Sequence, residues 1–195
     1  MLDLSRRSQL AIGIVLVLLI AMTRGSHFSL VNLPGASWAV FFLAGVLLKP
    51  RWVFPLLFLQ TTFMDIMSVG WSNAGHHCMT VAYWMLLPAY AALWFGGRLY
   101  ARWHREQFNS LLVLVPTALG SALVCQLFSS GGFYFFSGRH ESPTFVGMLE
   151  RIATYYPQYL SSLALYVGAA TLIYIAARIY HAHTAASAGQ AGRQA

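Results

Sequence analysis

Apolar runs separated by short polar connections fill most of this sequence. An α-helix needs about 20 residues to cross a bilayer, and most of the runs approach that length. The six predicted spans are 7–23, 35–48, 52–70, 79–98, 109–129 and 157–180. The second run is short and lies between Pro34 and Pro50, so we expect a tilted or partly re-entrant helix there. The pattern predicts an all-α, polytopic membrane domain with six transmembrane helices over residues 1–182, followed by a flexible C-terminal tail over 183–195.

The composition supports a membrane protein. Of the 195 residues, 58% are hydrophobic and 9% are charged, and the mean hydropathy is +0.60. The net charge of +7 does not indicate nucleic-acid binding, because the basic residues form short clusters at the ends of the apolar runs. Lys49 is the only lysine, so a GxxxxGK[ST] phosphate loop is absent and we expect no ATP site of that type. HExxH and GxSxG motifs are also absent, which disfavours classical hydrolase chemistry.

The basic residues predict how the chain crosses the membrane. With six spans, nine of the twelve basic residues fall on one side: Arg6, Arg7, Lys49, Arg51, Arg98, Arg102, Arg105, Arg178 and Arg193. The other three are Arg24, Arg139 and Arg151. Because cytoplasmic loops carry the excess of basic residues, both termini are expected in the cytoplasm.

The three outer connections, near 24–34, 70–78 and 130–156, are rich in polar and aromatic groups and predict an outward-facing binding site. The candidate groups are Arg24, His27, Asn32, Asp65, Asn73, His76, His77, Cys78, Arg139, His140, Glu141, Glu150 and Arg151. Asp65 is the most informative, because an unpaired carboxylate inside an apolar run would cost a few kcal/mol. We expect Asp65 and Arg151 either to pair with each other or to share a polar ligand.

Helix six carries a polar stripe, since Tyr155, Tyr159, Ser162 and Tyr166 share one helical face. For Tyr155 and its neighbour Tyr156, an interfacial aromatic belt with interhelical hydrogen bonds is as good an interpretation as ligand contact. Tyr166 lies too deep for a belt, so we expect it to line a cavity floor or to bond a neighbouring helix.

The stretch GHHCMT, residues 75–80, combines a thiol with two imidazoles. Thiolate is a soft ligand and imidazole a borderline one, so Cys78 beside His76 and His77 suits a transition metal with an open axial position. The alternative is a free thiol between two solvated histidines. Cys125, within a predicted helix, is expected to be a small buried hydrophobe, with a Cys78–Cys125 disulfide as the alternative.

These residues resemble the BtuM family, the cobalamin-specific relatives of the substrate-binding S-components of energy-coupling factor (ECF) transporters. The resemblance is carried by His27 in RGSHFSL, Asp65 in TFMDIMS, Cys78 and Tyr83 in GHHCMTVAYW, and Arg151 in LERIATYYPQY. It covers most of the chain, excluding the tail. It implies an S-component-like fold in a bacterial inner membrane that binds cobalamin, or a close corrinoid, from the periplasm and mediates its uptake.

The resemblance also implies the roles of individual residues. Cys78 would be a ligand to the cobalt of cobalamin and would promote loss of cyanide from cyanocobalamin, which is the one catalytic role expected. The ligand-binding residues would be His27, Asp65, Tyr83 and Arg151, which carry the resemblance. The outer connections and the helix-six stripe add Asn73, His76, His77, Tyr155 and Tyr159 as further candidates.

One departure from the S-component pattern concerns helix one. Many S-components carry Ala-x-x-x-Ala there for close packing of a partner subunit, whereas here Ala11 is followed by Val15. We therefore expect the protein to act alone, without a dedicated energy-coupling module. Two other functions stay open: an S-component for a different vitamin, and a membrane haem or redox protein with His27, His76 or His77 as axial ligands.

Overall fold

The computed structural model describes residues 4–24, 34–71, 81–104, 108–138 and 140–194. In these ranges every regular element is helical, which confirms the all-α prediction. The α-helices are α1 (Arg6–Arg24), α2 (Ser37–Leu47), α3 (Val53–Trp71), α4 (Leu86–Trp103), α5 (Leu114–Gln126), α6 (Gly132–Phe136) and α7 (Phe145–Gln194). Short 3-10 turns at Val81–Met85 and Phe108–Val113 precede α4 and α5, and a π-helical turn at Leu127–Gly131 joins α5 to α6.

Helix α2 forms the centre of the bundle. Its 11 residues extend for roughly 16 Å, so the helix is short, as the sequence predicted. The residues from Trp38 to Val46 are all buried, because α2 is apolar on every side and neighbouring helices surround it.

Two glycines bring α2 and α4 into close contact. A Cβ on Gly97 would collide with the Phe42 carbonyl oxygen, and a Cβ on Gly45 would collide with the Trp94 carbonyl oxygen. Helices that pack without side chains at the crossing point approach more closely than usual. These glycines are therefore required for packing in the core.

Contacts between the helices define two distinct ends of the bundle. At the first, the Arg98 end, Lys49 donates its backbone N–H to Gln9 Oε1 at 3.2 Å and accepts a bond from Arg98 Nη2 at 2.9 Å. His104 and Tyr174 meet there too, with His104 Nε2 3.2 Å from the Tyr174 hydroxyl. The start of α1 and the later part of α7 therefore lie at the same end of the bundle.

The second, the Asp65 end, contains the end of α1 and the start of α2. Arg24 bonds Ser37 there, and Tyr166 of α7 donates a 2.7 Å hydrogen bond to the carbonyl of Pro34.

Among the described residues, three helical segments are long and apolar enough to cross a membrane: Arg6–Arg24, Ser110–Phe136 and Phe145–Tyr180. Shorter apolar helices cover Ser37–Leu47 and Val53–Met67. Large apolar side chains are exposed along the outside of the bundle, including Ile14 at 60% and Ile173 at 72%. Because water-soluble monomers rarely expose such continuous apolar surface, these faces suit a lipid environment.

The last part of the chain differs from the sequence prediction. The connection predicted at 130–156 is mostly helical, because the helix through α5 continues to Phe136 and α7 begins at Phe145 rather than at 157. Pro157 lies inside α7, which contains 50 residues. Helix α7 extends to Gln194, so residues of the predicted tail are helical; the flexibility of the tail stays a prediction.

Candidate functional site

The Asp65 end is organised around one ion pair. Arg24, the last residue of α1, donates from Nε to Asp65 Oδ1 at 2.6 Å and from Nη2 to Asp65 Oδ2 at 2.7 Å. The side chains are 18% and 21% exposed, so water screens the pair only partly. A bidentate guanidinium–carboxylate contact fixes both the position and the orientation of the two side chains. It explains how an apolar helix accommodates the carboxylate of Asp65.

Three further side chains complete a polar cluster with the pair. Arg24 Nη1 donates to Ser37 Oγ at 2.7 Å and to the Tyr90 hydroxyl at 2.8 Å. Tyr83 donates its hydroxyl to Asp65 Oδ2 at 2.9 Å. We call these five residues, from α1, α2, α3, the turn before α4, and α4 itself, the Arg24–Asp65 cluster.

An aromatic layer lies beneath the cluster. Tyr90 stacks on Phe41 with ring centroids 4.4 Å apart and an interplanar angle of 6°, and Phe58 approaches Tyr90 edge-on at 6.3 Å. The Arg24 guanidinium lies 5.8 Å from the Tyr90 ring centroid. Since Phe41 is fully buried, the floor of the cluster has a low dielectric constant and strengthens the ion pair.

The turn into α2 is fastened to the cluster by short-range contacts. Thr23, which precedes Arg24 in the chain, accepts a 3.3 Å hydrogen bond at Oγ1 from the backbone N–H of Ala36. The Tyr166 bond to the Pro34 carbonyl confirms the expectation that this tyrosine bonds a neighbouring element. These contacts fix the positions of the residues on either side of segment 25–33.

The other tyrosines of the α7 stripe contact aromatic or charged neighbours. Tyr159 stacks on Trp38 with centroids 5.0 Å apart. The guanidinium carbon of Arg151 lies 5.0 Å from the Tyr155 ring centroid and 5.8 Å from that of Phe133. Both distances are in the range of cation–π attraction, so the two aromatic rings stabilise the charge of Arg151 in place of a carboxylate.

The predicted direct pairing of Asp65 with Arg151 is wrong. Asp65 pairs with Arg24, because the end of α1 lies beside α3, whereas Arg151 is held by aromatic rings near the start of α7. The other expectation, that Asp65 and Arg151 share a polar ligand, stays a prediction.

Among the acidic and imidazole candidates of the third outer connection, His140 packs its ring 4.4 Å from that of Tyr134. Glu141 and Glu150 are exposed.

Several predicted site residues lie outside the described residues: His27, Asn32, Asn73, His76, His77, Cys78 and Arg139. The predictions that Cys78 ligates cobalt and that the histidines assist it are therefore untested. Within the ranges that the structure describes, no three His, Cys, Asp or Glu residues form a group that could hold a metal ion.

Cys125 agrees with the expectation of a small buried hydrophobe. Its side chain is fully buried in α5, and its thiol is free. The alternative disulfide with Cys78 is therefore not formed.

The cluster contains two residues that the sequence did not suggest. Ser37 and Tyr90 lie in or beside apolar runs, where serine and tyrosine are common and carry no charge that demands a partner. Tyr90 lies about three helical turns from the outer end of the predicted span 79–98, deeper than an interfacial tyrosine, and that depth was the only available signal. Together the five residues provide a charge-neutral polar surface with donors and acceptors fixed by mutual bonds, which can bind polar groups of a ligand with little rearrangement.

Comparison of the sequence with models of protein families gave no match, and comparison with curated proteins gave no match either.

Proposed function

We propose that this protein binds cobalamin, or a close corrinoid, at its Asp65 end and mediates its uptake across a bacterial inner membrane. The proposal includes an S-component-like arrangement with six transmembrane helices and membership of the BtuM family. The observation that carries it is the Arg24–Asp65 cluster: a fixed, polar, charge-paired surface at one end of a bundle whose outside is apolar. Ionisable groups within apolar helices are functional-site candidates, because placing a charge in an apolar environment costs free energy.

The chain connectivity supports placing the ligand at this end. Segment 72–80 connects α3, which contains Asp65, to the turn that contains Tyr83. Asp65 and Tyr83 are hydrogen-bonded to each other. Segment 25–33 follows Arg24 directly and precedes Pro34, which Tyr166 bonds. The proposed ligands His27 and Cys78 belong to these two segments.

The chemistry of a corrin also fits the side chains found here. A corrin has apolar faces and an amide-rich rim, so its pocket should combine aromatic rings with a few fixed polar groups. Tyr155 and Tyr159 present rings at this end, while Tyr83 and Asp65, bonded to each other, provide hydroxyl and carboxylate oxygens as acceptors. Arg151, partly exposed beside the Tyr155 ring, can attract the nucleotide phosphate of the ligand.

The proposed topology places the Asp65 end in the periplasm and the Arg98 end, with both termini, in the cytoplasm. The described basic residues at or near the Arg98 end are Arg6, Arg7, Lys49, Arg51, Arg98, Arg102 and Arg178. This excess has the sign that cytoplasmic loops carry. Since helix one departs from the usual docking pattern of S-components, with Val15 four residues after Ala11, we propose that the protein acts alone.

The proposed role of Cys78 is a ligand exchange at cobalt. The thiolate would donate an electron pair to form a Co–S bond as the Co–C bond to cyanide breaks, and cyanide would leave with the electron pair of that bond. Cobalt keeps its oxidation state, so no oxidant or reductant is needed. Soft sulfur ligands suit this exchange, and the protein would bind the corrinoid without its own base on the metal.

The visible spectrum of the protein purified from cells supplied with cobalamin tests this function. We expect corrinoid absorption that co-purifies with the protein and falls by more than twofold in both Asp65→Asn and Arg151→Gln. Arg7→Gln, at an exposed arginine of the opposite end, is the matched control and should retain the parental absorption. A haem Soret band in place of the corrinoid bands, or growth rescue by the protein with a different vitamin alone, would refute the proposal and select one of the two alternative functions.

A further inference from the structure

A groove of about 710 Å³ runs between α4 and α5 at the Arg98 end, a volume typical of small-molecule sites. Its wall is apolar and includes Phe95, Leu99, Val113, Pro116 and Val124. The groove is open beside α5, because a Cβ on Gly120 would meet no atom within 4 Å.

The two hydroxyl groups in the groove do not make its wall polar. Thr117 Oγ1 donates to the carbonyl of Val113 at 2.8 Å, and Ser121 Oγ donates to the carbonyl of Thr117 at 2.8 Å. Both hydroxyl donors are thus used by the backbone of their own helix. The groove offers apolar contact along most of its length.

The mouth of the groove is basic. Arg98 and Arg102 both line it, and they share one face of α4 because they are four residues apart. Arg98 is held in place by its bond to the Lys49 carbonyl and by the Trp94 ring, 4.8 Å away. Arg102 is exposed and makes no ion pair with any residue that the structure describes.

No described carboxylate neutralises these arginines. The acidic residues in the described ranges are Asp65, Glu141 and Glu150. Asp65 pairs with Arg24 at the Asp65 end. Glu141 precedes α7 and Glu150 lies in its first turns, so both are at the Asp65 end as well. Two like charges on one helix face repel each other, and a bound anion would relieve that repulsion.

We propose that this groove binds an anionic phospholipid, with its phosphate between Arg98 and Arg102 and an acyl chain along the apolar wall. Trp103, 56% exposed at the same mouth, suits the headgroup level of a membrane. The cytoplasmic leaflet, where the proposed topology places this mouth, carries anionic lipid. The inference goes beyond the proposed function and does not depend on which solute the Asp65 end binds.

The combination of wall and mouth favours a lipid over other anions. A free phosphate would use the arginines and leave the apolar wall empty, whereas a neutral lipid without a phosphate would use the wall and offer the arginines no anion. An anionic phospholipid satisfies both parts.

Native mass spectrometry of the full-length protein in a neutral detergent tests the site. The probes are dioleoylphosphatidylglycerol and dioleoylglycerol, a neutral lipid with the same acyl chains and no phosphate, added to delipidated protein. We expect the anionic lipid to be retained roughly twentyfold more tightly than the neutral one, since two arginines contribute about fivefold each.

Two variants separate the parts of the site. Arg102→Gln should weaken retention of the anionic lipid by about fivefold and leave the neutral lipid unchanged. Gly120→Leu fills the groove and should weaken both lipids. Arg7→Gln, an exposed arginine outside the groove, and Gly168→Leu, a glycine of α7 with open space around it, are the matched controls and should retain both lipids as the parent does.

Equal retention of the two lipids by the parent, or the same loss in Arg102→Gln and Arg7→Gln, would overturn the proposal. Displacement of the lipid by an equal concentration of soluble glycerol phosphate would overturn it as well, because the apolar wall would then contribute nothing.

Discussion

Arg24 and Asp65, 41 residues apart in the sequence, are joined by two hydrogen bonds of 2.6 and 2.7 Å within a cluster that also includes Ser37, Tyr83 and Tyr90. The pair connects α1 to α3, and its partners connect both helices to α2 and to the beginning of α4. One charged contact therefore contributes to the fold and to the proposed binding surface together.

Asp65→Asn should destabilise the protein by about 3 kcal/mol, because it leaves the Arg24 guanidinium partly buried without its counter-charge. Arg24→Gln should have a similar effect. The double variant should be less destabilised than the sum of the two single variants by at least about 1 kcal/mol. Chemical unfolding in detergent measures this, with Glu150→Gln as a control expected within about 0.5 kcal/mol of the parent. Strict additivity would show that the two residues do not interact.

Tyr83→Phe removes only the hydroxyl that bonds Asp65, so it should cost about 1.5 kcal/mol, as expected for a hydrogen bond to a charged group. Tyr155→Phe is the matched control, because the ring of Tyr155 and not its hydroxyl contacts Arg151. The same unfolding assay should give less than about 0.5 kcal/mol for the control. Equal effects of the two substitutions would contradict the bond to Asp65.

The sequence indicated the charged half of the cluster and not its geometry. Asp65 was recognisable because a carboxylate in an apolar run must have a partner. Its partner was not recognisable, since Arg24 and Arg151 are both predicted on the outer side and the choice depends on which helices are neighbours. The arrangement of α1 beside α3 comes from tertiary packing, which hydropathy does not encode.

The start of α7 was misplaced for a related reason. Hydropathy falls before Pro157 because the preceding segment contains Glu150 and Arg151. A helix, however, is defined by its backbone hydrogen bonds and can carry charges wherever they find partners or water, as Arg151 does between two aromatic rings. The all-α class was predictable from the apolar runs, whereas the length of α7 was not.

Gly97→Ala should destabilise the protein by about 2 kcal/mol, because its new methyl group would collide with the Phe42 carbonyl and force α2 and α4 apart. Gly168→Ala adds the same methyl group where nothing lies within 4 Å, and it should stabilise α7 by up to about 1 kcal/mol through helix propensity. Thermal unfolding of the two variants should therefore shift in opposite directions. A shift of both in the same direction would mean that the crossing of α2 and α4 is looser than described.

The proposed topology predicts which residues can be labelled from outside. In a variant with Cys78→Ala and Cys125→Ala, the single cysteine introduced by Glu141→Cys should react with a membrane-impermeant maleimide in intact spheroplasts. A single cysteine at Arg102 should react only after lysis. Both positions are exposed, so differences in burial do not confound the result. The reverse labelling pattern would place the Asp65 end in the cytoplasm and exclude capture of a ligand from the periplasm.

The last prediction concerns the cyanide of cyanocobalamin. If the Cys78 thiolate binds cobalt, mixing the purified parent protein with cyanocobalamin should change the visible spectrum and release about one equivalent of free cyanide per bound ligand, because sulfur takes one axial position. Cys78→Ala should abolish both changes. Cys125→Ala is the matched control: it removes a thiol that is fully buried in α5, so it should keep both changes. Equal cyanide release by the parent and by Cys78→Ala would eliminate thiolate ligation, and loss of release only in Cys125→Ala would mean that the buried thiol reaches the metal and that the ligand lies deeper between α4 and α5 than proposed.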